Sequence, residues 1–132
     1  QRVQDRIEFM RSTPLFGESV SYPIQTKIAQ VMEQEFYPEG SEIELTQPSL
    51  VLIRRGQVEL LMEGKTPQVV EEGEFCGEET ILGQQRRFLM RAVKDSRVYK
   101  ISDSELLREI PIVRWKLLER SEQRNSAFWL EA

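Results

Sequence analysis

Gly77-Glu78, the short run Glu79-Thr80-Ile81-Leu82 and the tandem pair Arg86-Arg87 ahead of Phe88-Leu89-Met90 bring an acid, a turn and a guanidinium close together along the chain. A strand that closes on a glycine and opens a short helical turn leaves free N–H groups facing outward. An arginine on the next strand completes a cradle for one phosphate. Glu78, at the head of the turn, can accept a hydrogen bond from a sugar hydroxyl while the arginine neutralises the phosphate. Each residue also has a structural reading: Glu78 caps its turn, and Arg86 and Arg87 are solvated loop charges.

A cradle of this kind needs strands to hold it. Residues 4–11 place Ile7, Met10 and Phe9 near one face at helical spacing, and Ser12-Thr13-Pro14 stops that helix. A second helical pattern carries Ile24, Ile28, Val31 and Met32. From residue 35 the period changes to two, with strands expected at 35–37, 42–45, 50–54, 57–62, 68–71, 88–93 and 97–101. Pro38-Glu39-Gly40, Gln47-Pro48, Arg55-Gly56, Glu63-Gly64-Lys65 and Glu72-Gly73 supply the turns, so the strands form a barrel or sandwich. Ser102 with Glu105 three residues on reads as a capping box for a helix to about residue 110. Pro111 then suits the first turn of another helix, with an apolar stripe of Ile112, Trp115, Leu118 and, at its margin, Leu117. The polar stretch 121–126 continues that helix or links it to Ala127-Phe128-Trp129-Leu130.

Composition narrows the chemistry. The 132 residues suffice for one domain with a substantial core. There is no histidine, so the commonest general base, the commonest metal ligand and every imidazole triad are gone. A single cysteine, Cys76, excludes an internal disulfide and reads as a small buried apolar side chain. The chain has 18 basic and 22 acidic residues and a net charge of −4, which offers no broad basic face for nucleic acid. No long apolar run or signal peptide is evident, so no membrane contact and a cytoplasmic setting are expected. The first residue is Gln1 rather than methionine, which leads us to expect a piece of a longer protein.

Pro38-Glu39-Gly40, Gly56-Gln57-Val58-Glu59-Leu60 and Gly73-Glu74-Phe75-Cys76-Gly77-Glu78 occur in that order, with Thr13-Pro14-Leu15-Phe16 before them and Ala92 after a strand. This series resembles the cyclic-nucleotide-binding domain family over about residues 5–120. The resemblance implies a mainly β fold with flanking α-helices: an antiparallel jelly-roll barrel over about 35–101, N-terminal helices over about 4–34 and two C-terminal helices over about 103–131. All of these lie in a single domain, 1–132. It further implies a regulatory sensor rather than an enzyme, binding cAMP or cGMP with no other cofactor and no metal. The signal would pass through the C-terminal helices to an effector outside the chain, such as a DNA-binding helix-turn-helix, an ion channel, a kinase or another bacterial signalling domain. Ligand contacts carried over from the motif are Gly77, Glu78, Glu79, Thr80, Arg86, Arg87 and Phe88.

Two features of this cassette depart from the family. Counting back from Ala92 puts Arg86 on the phosphate position, whereas counting forward from Glu78 puts Arg87 there; strand register favours Arg86. The family has a small residue and a hydroxyl after the arginine, where this chain has Arg87, Phe88 and Leu89. Loss of one charge-assisted hydrogen bond costs about 1.5–3 kcal/mol, roughly one to two decades of affinity, and Phe88 or Leu89 would fill the pocket. The rival reading is therefore a degenerate barrel that serves as an interaction or oligomerisation scaffold without nucleotide. In either case the C-terminal stripe and Phe128–Leu130 point to a homodimer through those helices. Trp115 and Phe128-Trp129 are read as helix packing rather than a lid over a purine base. A cupin enzyme would need clustered metal ligands that the sequence lacks.

Overall fold

The computed structural model describes residues 2–17, 20–85 and 88–130, the side chains of Trp129 and Leu130 excepted. Arg86 and Arg87 therefore lie outside the described residues. Helix α1 (Arg2–Arg11) buries Ile7 and Met10, one turn apart, and helix α2 (Tyr22–Val31) begins after Ser21 with Pro23 in its first turn. The Arg6 guanidinium ties them together by donating to the carbonyls of Ala29 at 3.0 Å and Met32 at 2.7 Å, groups that the end of α2 leaves unsatisfied.

Among the described residues seven strands follow: β1 (Met32–Tyr37), β2 (Leu50–Arg55), β3 (Val58–Leu61), β4 (Gln68–Val70), β5 (Phe75–Cys76), β6 (Leu89–Ala92) and β7 (Ser96–Ile101). They form two antiparallel sheets, ordered β1-β7-β2-β5 and β4-β3-β6. The short helix α3 (Glu78–Ile81) interrupts the strands, and α4 (Ser104–Glu109) and α5 (Pro111–Leu130) close the chain. The architecture is thus mainly β with flanking helices, as expected, although the described strands fall into two sheets rather than one closed ring.

Strand β2 explains the layering. Leu50, Val51, Leu52 and Ile53 are all fully buried, because both faces of this strand are covered. Leu50 and Leu52 join Tyr99 and Ile101 under α1, α2 and the start of α5, whereas Val51 and Ile53 face the second sheet with Val58, Leu60, Met90 and Val98. Glu35 of edge strand β1 lies 2.8 Å from Lys100 on the neighbouring β7, and the Tyr37 hydroxyl also donates to that carboxylate. Burial would push the Glu35 carboxyl up, but these donors outweigh it and hold it below its ordinary value.

Three expectations are corrected. The strand expected at 42–45 reduces to a single bridge, Glu42 with Arg91, because Thr46-Gln47-Pro48 breaks the pairing after Ile43 N–H bonds the Met90 carbonyl. Asp103, not Ser102, caps α4 by accepting from the Leu106 N–H at 3.1 Å, since the Ser102 hydroxyl is engaged with that of Ser49 at 2.9 Å. The inward face of α5 is Val113, Leu117, Ser121, Arg124 and Phe128, whereas Trp115 and Leu118 are 57% and 41% exposed. Residues 121–126 are continuous helix.

Gly56, at the turn between β2 and β3, has φ +100, and an added Cβ would lie 2.3 Å from the Ser96 hydroxyl and 2.6 Å from the Asp95 carbonyl. Gly64, with φ +78, has open space around it. Gly56→Ala is expected to cost at least about 2 kcal/mol in urea denaturation, from left-handed strain plus overpacking, and Gly64→Ala clearly less. Equal losses would contradict this reading of the turn.

Candidate functional site

Gly77 takes φ +84, and a Cβ there would meet the Ser49 carbonyl at 2.4 Å, so only glycine lets strand β5 turn tightly into α3. Thr80 fixes the turn: its hydroxyl donates to the carbonyl of Gly77 at 2.7 Å or of Ser49 at 3.1 Å, and the Ser49 N–H donates back to it at 3.0 Å. The Thr80 hydroxyl is thus committed to the scaffold.

The turn delivers Glu78 to the interior, where it is only 1% exposed. Its partner comes from the far end of the chain. Arg124, 5% exposed on α5, donates through Nη1 to Glu78 Oε1 at 2.5 Å and through Nη2 to the Phe75 carbonyl at 2.5 Å, and its guanidinium lies 5.6 Å from the centre of the Phe75 ring. Arg120 covers the same ring at 5.7 Å and approaches Glu74 at 3.8 Å. Ser121 donates to the Gln84 side-chain carbonyl at 2.6 Å, and the Gln68 amide donates to the Arg124 carbonyl at 3.0 Å. Phe128 packs on Phe88 with centroids 5.7 Å apart. Helix α5 is therefore docked along the cassette by polar and aromatic contacts.

Between them lies a cavity of about 230 Å³, lined by Glu78, Glu79, Gln84, Gln85, Phe88, Ser121 and Asn125. That is smaller than the roughly 300–1,000 Å³ of most small-molecule pockets. Glu78 Oε2 is buried and has no hydrogen-bond partner among the described residues. Of the residues expected at the site, Glu78, Glu79 and Phe88 meet at the cavity, Gly77 and Thr80 build the turn beneath it, and Arg86 and Arg87 fall outside the described residues. Sequence reasoning missed Arg124, Ser121, Gln84 and Asn125. The available signal was helical spacing: Ser121 and Arg124 continue the face begun by Val113 and Leu117. Among the described residues there is no metal-ligating cluster and no helix long and apolar enough to cross a membrane.

No protein-family model matches the chain. A curated relative, cGMP-dependent protein kinase isozyme 1 of Drosophila melanogaster, is 32% identical over 98 residues, covering 66% of this chain and 12% of the relative. Among solved structures, the regulatory domain of Toxoplasma gondii PKA with cAMP has a TM-score of 0.77 at 15% identity, over 92% of this chain and 50% of that one. The regulatory subunit of a cAMP-independent protein kinase A from Trypanosoma brucei also has a TM-score of 0.77, at 16% identity, over 92% and 46%. A putative cyclic nucleotide-binding protein from Geobacter metallireducens has a TM-score of 0.66 at 25% identity, over 93% and 94%. The chain thus spans about half or less of the kinase-type proteins it matches and nearly all of the Geobacter one. The fold is thus that of a cyclic-nucleotide-binding domain. These structural relatives are regulatory or binding proteins by name.

A buried carboxylate left unpaired is costly, so Arg124→Ala should destabilise the domain by about 3–5 kcal/mol in chemical denaturation. Glu78→Gln in the Arg124→Ala background should recover more than half of that. A coupling energy below about 0.5 kcal/mol would mean that the pair is incidental.

Proposed function

We propose that this domain is a regulatory sensor that binds a cyclic nucleotide at the α3 turn and passes the signal to an effector through helix α5. The observation that carries the reading is Glu78: Oε1 is held by Arg124, and the buried Oε2 has no partner among the described residues at a cavity wall. Buried polar atoms are nearly always satisfied, and a ribose hydroxyl would satisfy this one. Ligand and helix would then share one carboxylate, which couples occupancy of the pocket to the position of α5. The cavity is small, so a whole nucleotide requires Phe128 and Phe88 to separate, and the ligand would shift the helix only by its differential affinity for the two arrangements. This reading is one of binding, with no chemistry on the ligand.

A second reading, a scaffold without nucleotide, is favoured by one observation: Phe88 lines the small hollow and is held there by packing on the buried Phe128. Calorimetry with cAMP and with cGMP separates the two. A sensor should give heat with at least one nucleotide and lose about 10-fold or more in affinity in Glu78→Gln, the value of one charge-assisted hydrogen bond. No heat from either nucleotide at millimolar concentration would leave the scaffold reading.

A further inference from the structure

Sharing no lining residue with the cavity at the α3 turn, a groove of about 500 Å³ runs between α1 and the four-stranded sheet. Its floor carries three arginines, Arg54, Arg55 and Arg97, from the adjacent strands β2 and β7. Consecutive strand residues ordinarily point to opposite faces. Here the register shifts between Ile53 and Arg55, a bulge at Arg54 that lets both Arg54 and Arg55 line one groove. The same shift sets Arg55 directly across from Arg97, a like-charge pairing that destabilises a sheet unless something neutralises it.

Two of these guanidinium groups are held in place by rings: Arg54 lies 4.7 Å from the centre of Phe9 and Arg97 lies 5.7 Å from the centre of Phe36. Stacking fixes the planar fork and leaves its N–H edges available. No side-chain hydrogen bond or ion pair engages Arg54, Arg55 or Arg97 among the described residues. The opposite wall belongs to α1 and offers Asp5, Glu8 and Ser12, groups that accept hydrogen bonds from hydroxyls. Those two carboxylates would repel an extended acidic chain, whereas a compact ligand can place its anionic end on the arginines and its neutral end on the acids. The volume falls in the range of small-molecule sites, unlike the cavity beside Glu78.

We propose that this groove binds a phosphate monoester of a small polyol, with the phosphoryl group on Arg54, Arg55 and Arg97 and the hydroxyls on Asp5 and Glu8. The site is separate from the α3 turn and stands whether or not that turn takes a nucleotide. Titration calorimetry on the 132-residue chain with glucose 6-phosphate, inorganic phosphate and glucose tests it, alongside Arg55→Gln and Arg97→Gln. Both variants sit on exposed side chains and should fold. The sugar phosphate should bind, inorganic phosphate should bind at least about 10-fold more weakly, glucose should give no heat, and each variant should lose about 10-fold or more. Three results would overturn the proposal: no binding of the ester at 10 mM (about 2.7 kcal/mol of binding energy), equal affinity for inorganic phosphate, or unchanged affinity in both variants.

Discussion

The ion pair between Glu78 and Arg124 joins the C-terminal helix to the turn that follows β5. An ionised carboxylate that is almost wholly buried is tolerable only with a partner and hydrogen bonds around it. Here the partner arrives from a helix far along the chain. The constraint runs in both directions. Glu78 reaches the interior because Gly77 is left-handed and Thr80 clamps the turn to Ser49, and Arg124 reaches it because α5 runs unbroken through a polar stretch. Disturbing the turn unseats the helix, and lifting the helix leaves a charge buried alone. A ligand contacting the same carboxylate acts on both.

Much of the fold was legible because its signals are local. Two-residue periodicity, turns at Gly56, Gly64 and Gly73, and the apolar run Leu50–Ile53 each report on backbone within a few residues. The Gly77-Glu78 turn was legible for the same reason. The face of α5 was not. An apolar stripe was sought, and the exposed Trp115 and Leu118 supplied a false one, whereas the true inward face includes Ser121 and Arg124. Those polar residues face inward because the cassette offers Gln84, Glu78 and the Phe75 carbonyl, acceptors more than thirty residues away that no local pattern records. The Asp103 cap was missed for a related reason, since Ser102 is drawn off by Ser49 across the fold.

Within one domain the α3 turn and the α1 groove carry different charged side chains. The cassette side buries two carboxylates, Glu78 and Glu79, and meets them with a helix. The α1 side gathers arginines, fixes two of them on rings and leaves the groove open. Strand β2 contributes to both, through Val51 beside Cys76 and through Arg54 at its bulge. Rearrangement of β2 would therefore be felt on either side.

Amide hydrogen exchange on the unliganded domain tests the central claim most directly, because it reads α5 without any ligand. Arg124→Ala should raise exchange in the C-terminal half of α5, residues 118–128, through a local opening, so that this segment loses more protection than β2 and β7, which fall only with the global stability. Unchanged protection along α5, or an equal loss throughout the sheet, would contradict the claim that this one pair holds the helix to the cassette.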